Sequence, residues 1–189
     1  MTFSIPQGLK PFVAELQALD IKQYDDNTNI ARVSALVAQW VKRQDWLEEK
    51  YFYVDPKAGF SSWLIHEEED HSLAVNLVAW EPGREITPHE HKTWGVVGSV
   101  VGVEKNYLWI RIDDGSKPEY AEIKRQNAAI ICPAGGIISF LPDEIHSVIN
   151  ESEKVAISLH VYGKNLNYTG RYQYDPINNT MQPFIVNFG

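Results

Sequence analysis

Hydrophobic positions recur along this chain with two different periods, and the change between them divides it. Near the start, Leu9, Phe12, Val13, Leu16 and Leu19 recur every three or four residues, as do Ile30, Val33, Leu36, Val37, Trp40 and Val41. That spacing collects each set on one helical face, so two amphipathic helices are predicted. Asn27, Thr28 and Asn29 are N-cap candidates for the second. From Phe60 onward the pattern becomes short β-rich runs broken by turn residues: LAVNLVAW, GVVGSVVGVE, YLWIRI, AAIICP, GIISFLP, HSVIN, VAISLHVYG and GRYQYD. Asp114-Gly115 marks a turn after the third of these. Many strands without intervening helices predict a mainly β barrel or sandwich, with the helices packed on its outside. No internal repeat, low-complexity stretch or long linker interrupts the chain. A single domain over 1–189 is therefore expected, with a helical part at 1–55 and a β-barrel at 60–175.

The bulk properties narrow the partners. At 189 residues the chain can bury a sizeable core. Seventeen basic against 25 acidic residues give a net charge of −8, which disfavours nucleic acid or an anionic membrane as partner and favours a small molecule. The single cysteine, Cys132, excludes an intramolecular disulfide and suits a reducing compartment. No basic-then-apolar leader and no apolar run of spanning length are seen, so a cytoplasmic location is expected. A monomer and a homodimer both remain open.

Candidate chemistry lies in two constellations. His89 and His91 stand in GREITPHEHKTWG, and His146 stands in FLPDEIHSVIN. On a strand, residues two apart share a face, so the pair can grip one ion, and the third ligand must come from another strand. Neutral imidazoles suit iron, zinc, copper and nickel, and three of them leave coordination positions open. A lone His pair is equally an ordinary polar face; His146 and the flanking glycines favour the metal. The second constellation is Ser158, His160 and Tyr162, polar at alternate positions of an apolar strand and so facing a barrel's interior. Alone it reads equally well as a buried hydrogen-bond network. Arg171 is either a carboxylate partner or a salt-bridged surface residue. Cys132 reads as a small buried apolar residue, and His66 and His71 as solvated loop residues. Trp94 follows the His pair closely enough to shape a pocket. Gly95, Gly98 and Gly102 mark bends in the sheet or space beside the site.

The spacing of Gly83, His89, His91, Gly95 and Gly102 follows the first cupin motif, and His146 with Asn150 follows the end of the second. The chain resembles a cupin, which implies a double-stranded β-helix, or jelly-roll, barrel. Where the usual cupin places a Glu ligand after the His pair, this chain reads Lys92, Thr93, Trp94, Gly95. A three-histidine cupin with the Ser158-x-His160-x-Tyr162 row is similar to the thiol dioxygenases, the group of cysteine dioxygenase and 3-mercaptopropionate dioxygenase. That resemblance implies Fe(II) on His89, His91 and His146, with Tyr162 beside the substrate and O2. It also implies that His160 holds Tyr162, that Ser158 holds His160, and that Arg171 binds the substrate carboxylate. The implied reaction converts a small thiol carboxylate, 3-mercaptopropionate-like or cysteine, to its sulfinic acid with O2. Gly95 stands where mammalian-type cysteine dioxygenases carry a Cys linked to the Tyr, so that cross-link is not expected. Phe60, Ser61, Ser62 and Trp63 stand where those enzymes carry an Arg, and no acidic partner for an ammonium is evident; both point away from cysteine. Two other readings stay open: a cupin dioxygenase acting on a carbon substrate such as a diketone, and a non-enzymatic cupin that uses the metal to bind a small molecule.

Overall fold

Both helices form where the three-and-four spacing places them, in a computed structural model that describes residues 5–186. The ends of the expected 1–189 span, 1–4 and 187–189, lie outside the described residues. Helix α1 (Lys10–Gln17) carries a proline in its first turn, where a missing N–H costs nothing. Helix α2 (Asp26–Trp40) is capped by Asp25, whose carboxylate accepts from the Thr28 backbone N–H at 3.0 Å and hydroxyl at 2.9 Å. The cap thus lies two residues before Asn27, the first of the expected candidates. Asn29 is instead buried, and its Nδ2 donates to the carbonyls of Ile21 and Tyr24. Among the described residues no helix is long and apolar enough to cross a membrane.

The remainder is β. The strands are β1 (Phe60–Glu67), β2 (Ala74–Trp80), β3 (Glu85–His89), β4 (Gly95–Val101), β5 (Val103–Arg111), β6 (Ile123–Pro133), β7 (Ile137–Phe140), β8 (Ile145–Asn150), β9 (Ala156–Tyr162), β10 (Tyr172–Asp175) and β11 (Thr180–Pro183). They form a sheet in the order β1-β2-β9-β4-β7 and a second in the order β11-β10-β3-β8-β5-β6. GVVGSVVGVE, one run by its hydrophobicity, divides at Gly102: β4 belongs to the first sheet and β5 to the second. Gly102 has φ +84°, and a Cβ there would lie 2.7 Å from that of Ala156, so only glycine allows the chain to change sheets at this point. Strands β1, β3 and β11 are not apparent from hydrophobicity. FSSWLIHE and TMQP are half polar, and Pro88 interrupts EITPH.

Alternation along β9 connects the core to the site. Every residue of this strand is buried, because both faces are covered. Ile157, Leu159 and Val161 join Phe12, Leu16, Val33 and Val37 in the helix-side core. Truncating a fully buried side chain such as Phe12 to alanine would cost about 3–5 kcal/mol. Helix α2 lies against β4, where a Cβ on Gly98 would come within 2.4 Å of Val41 Cγ1 and 2.6 Å of Val37 Cγ1. Gly98 therefore makes room for the helix rather than for a ligand. The opposite face of β9 presents Ser158, His160 and Tyr162 toward the second sheet, and a cavity lies between the sheets there.

Candidate metal centre and its cavity

The three histidines converge. His89 ends β3 and is the direct cross-strand partner of His146 on β8. His91 lies outside any strand, in a bend where Lys92 takes φ +55° and its N–H bonds the Pro142 carbonyl. The pair thus does not share one strand face, as spacing alone suggested; the turn after His89 swings the His91 ring back to the same centre. The candidate ligand nitrogens all lie within 4.8 Å of one another, and the three side chains are buried.

Their outer contacts decide which nitrogens are free. His89 Nδ1–H donates to the Thr87 carbonyl at 2.9 Å, and His146 Nδ1–H to Asn106 Oδ1 at 2.9 Å. Each Nε2 then carries a lone pair. His91 Nε2 lies 3.3 Å from His146 Nε2, while His91 Nδ1 is buried without a partner among the described residues. In either tautomer of His91, one buried ring nitrogen goes unsatisfied. Burial, reinforced by the neighbouring histidines and Arg171, holds His91 and His146 well below the usual imidazole pKa. Burial and the Arg171 charge lower His89 to about 3. Neutral rings with converging Nε2 lone pairs fit a divalent transition metal, which would take up the His91 Nε2 lone pair now facing His146 Nε2. Among the described residues no carboxylate joins the cluster, so such a metal would keep open positions for other ligands.

The second row assembles beside the first. Ser158 Oγ is 2.7 Å from His160 Nε2, and His160 Nδ1 is 2.7 Å from the Tyr162 hydroxyl. The rings of Tyr162 and His91 are 5.0 Å apart. Gly95 faces Tyr162 across the β4–β9 pair, and a Cβ there would lie 3.0 Å from the ring's Cδ1 and Cε1 and 3.3 Å from His91 Nδ1. The missing side chain lets Tyr162 and His91 approach. Cys132 packs elsewhere, with Val97, Ile138 and Phe140, and burial pushes its thiol up to about 11.

Arg171 precedes β10 and is 3% exposed, which excludes the surface ion-pair reading. Its guanidinium sits 4.1 Å over the Phe184 ring, its Nε has no partner, and no carboxylate pairs with it among the described residues. Burial lowers its pKa to about 10, opposed by Tyr162. Arg171, Tyr162, His160 and the three clustered histidines all line one cavity of about 50 Å³, room for more than one water-sized group.

Several lining residues escaped the sequence reading. Trp80, Glu104, Asn106 and Phe184 face the cavity, whereas Trp94 packs in the helix-side core. Glu104 and Asn106 carry the same signal as the Ser158 row, polar residues two apart on a strand, and could have been found by it. Phe184 carries none, lying beyond the last strand. His66 and His71 are partly buried rather than solvated: His66 pairs with Glu68 at 3.1 Å, and His71 stacks on Tyr168 at 3.7 Å.

No protein-family model matches the chain. Among solved structures, it is similar to a double-stranded β-helix domain protein from Klebsiella pneumoniae subsp. pneumoniae, with a TM-score of 0.47 at 15% identity, covering 68% of this chain and 90% of that one. An oxalate oxidase in complex with the substrate analogue glycolate gives 0.46 at 14% identity, over 64% and 60% of the two chains. The cupin domain of an XRE family transcriptional regulator from Enterobacter cloacae gives 0.39 at 16% identity, over 55% and 95%. At identities this low none transfers a metal or a substrate. Two facing antiparallel sheets with helices outside make this a mainly β chain. Between its sheets lies a three-histidine cluster able to hold a metal.

Proposed function

We propose that this chain is an Fe(II)-dependent thiol dioxygenase that converts a small thiol carboxylate of the 3-mercaptopropionate kind to its sulfinic acid. The observation that carries the reading is Arg171, a buried cation without an anionic partner among the described residues, in the same cavity as the histidine cluster and Tyr162. A buried charge costs several kcal/mol unless paired, so this site favours an anionic ligand. The planar guanidinium fork matches a carboxylate.

When bound by His89, His91 and His146, Fe(II) supplies a binding position for the thiolate and O2 together with the redox capacity the reaction requires. The protein's own residues do the rest. Arg171 holds the carboxylate and so fixes how far the sulfur reaches toward the histidines. Tyr162, fixed by His160, presents its hydroxyl to the substrate. Phe184 over Arg171 and Phe140 beside His146 and His91 keep the cavity apolar on the flanks of the histidine cluster. The overall change adds both oxygen atoms to the thiolate, R–S⁻ + O2 → R–SO2⁻, and releases nothing else. A carboxylate-free carbon substrate would leave Arg171 unpaired. Glu104 is the acidic cavity residue not foreseen for an ammonium, but Trp80 and Ser158 engage its carboxyl and burial favours its neutral form. A substrate amine is therefore not required.

The test is metal analysis of protein purified without added metal, followed by oxygen uptake with 3-mercaptopropionate, cysteine and cysteamine. Iron near one per chain with uptake driven best by 3-mercaptopropionate is expected. Cysteamine as the best substrate would overturn the substrate class, and no uptake with any thiol by iron-loaded protein would overturn the activity.

A further inference from the structure

The Ser158–His160–Tyr162 row does not end at Ser158. Trp80 Nε1–H points at both Ser158 Oγ, 2.8 Å away, and Glu104 Oε1, 3.1 Å away, so the hydroxyl and the carboxyl share one donor and lie side by side. Glu104 comes from β5, in the opposite sheet, and is 2% exposed. Glu104 thus stands beside Ser158 at the inner end of the row, whose cavity end is the Tyr162 hydroxyl.

We propose that Glu104 is a positioning residue whose proton sets the direction of this row, and with it whether the Tyr162 hydroxyl donates into the cavity or accepts from it. The direction follows from counting hydrogens. Trp80 can only donate, so Ser158 Oγ has one further acceptor position and one hydrogen to give. With Glu104 protonated, its O–H donates to Ser158, Ser158 donates to His160 Nε2, His160 Nδ1–H donates to Tyr162, and the Tyr162 O–H is free for the cavity. With Glu104 ionised, Ser158 donates to the carboxylate and His160 Nε2–H donates to Ser158. His160 Nδ1 then accepts the Tyr162 O–H, and only lone pairs face the cavity. The two states differ by one proton. Moving each hydrogen one place along the row releases that proton at the Tyr162 oxygen, so the inner carboxyl and the cavity exchange a proton with no group left short.

Burial pushes the Glu104 carboxyl up to about 7 against the hydrogen bonds from Ser158 and Trp80, which favour its ionised form. The groups facing it among the described residues are Cys132 from β6, Asn150 from β8, Trp80 from β2, and Ser158, His160 and Tyr162 from β9. Of these, His160 is held to about 3 and Cys132 up to about 11, both mainly by burial, and burial raises Tyr162 further. Only Glu104 changes charge near neutrality.

The relevance of the row to turnover rests on the function proposed above, but its direction can be read without turnover. The experiment is ¹⁵N NMR of the histidine rings in the full-length protein loaded with Zn(II), at pH 5.5 and 8.5, for wild type and Glu104→Gln. In wild type the proton of His160 should move from Nδ1 to Nε2 between the two conditions. In Glu104→Gln the amide donates permanently to Ser158, so His160 should keep Nδ1–H at both. One unchanging tautomer in the wild type overturns the proposal, as does a variant that switches like the wild type. The wild-type titration alone decides if the variant does not fold. A tautomer switch in a protein that oxidises no thiol would sink the proposed function and leave this inference standing.

Discussion

Replacing Arg171 with Met should stabilise the substrate-free protein while removing its affinity for thiol carboxylates. Burial takes the Arg171 guanidinium well below its usual range, to about 10. At ~1.4 kcal/mol per tenfold change in ionisation, holding this charge in the folded protein costs about 3 kcal/mol. The folded pKa is the lower of the two, so the cost is fully present at pH 7, below both values, and is relieved only as pH rises through the folded value. Loss of the cation over Phe184 returns about 1 kcal/mol of this. Met replaces the apolar stem with an adaptable shape, and its shorter reach leaves space only toward the cavity that Arg171 already lines, so repacking should add little. The net gain is about 2 kcal/mol, or a rise in Tm of roughly 4–8 °C for a chain of this size. The assay is thermal unfolding of metal-loaded wild type and variant without oxygen, each with and without 3-mercaptopropionate. Saturating ligand at a hundred times Kd should stabilise the wild type by about 2.7 kcal/mol and leave Arg171→Met unmoved. A variant that melts lower than wild type yet still gains stability from the ligand would refute the reasoning, because Arg171 would then support the fold and not the carboxylate.

The remaining expectations concern the same cavity. Replacing His89, His91 or His146 by Ala should each remove bound iron, measured by metal analysis; full occupancy in all three variants would contradict the ligand set. Tyr162→Phe should bind iron normally but turn over more slowly, by up to about 3 kcal/mol or some hundredfold, and peptide mass analysis should find Tyr162 unmodified. Unchanged turnover would remove Tyr162 from the chemistry, and a mass deficit tying it to Cys132 would contradict the placement of that thiol. The raised Glu104 carboxyl stabilises the fold through its neutral form, fully below the ordinary value of 4.5, and that contribution is lost as pH rises through about 7. Denaturant titration should therefore find Glu104→Gln close to wild type at pH 5 and more stable by up to about 3 kcal/mol at pH 8.5; equal stabilities at both would show that the carboxyl is not strained by burial.

The fold was legible where one face of an element is apolar and the other is not. The helical faces of α1 and α2 and the alternating row on β9 are of this kind, and each lies where its periodicity placed it. The clustering of the three histidines was legible because side chains that converge on one point from separate strands fall at restricted spacings. What hydrophobicity could not show was backbone geometry. The change of sheet at Gly102 depends on a positive φ inside an unbroken apolar run, and the reach of His91 depends on a bend beyond the end of β3. Strand β3, with its proline and polar residues, is stabilised by neighbours on both sides, β8 and β10, rather than by its own sequence. Glu104 carried a local signal, polar at alternate positions of β5 with Asn106, but its neighbours Trp80 and Ser158 lie on strands of the opposite sheet, which nothing local to β5 identifies.

The central claim, that the cavity adds both atoms of O2 to one sulfur, is tested most directly by turnover under ¹⁸O2 with 3-mercaptopropionate and iron-loaded protein, followed by mass analysis of the product. The account predicts a sulfinate carrying two ¹⁸O atoms. A disulfide, a product whose oxygen derives from water, or unaltered thiol would contradict it.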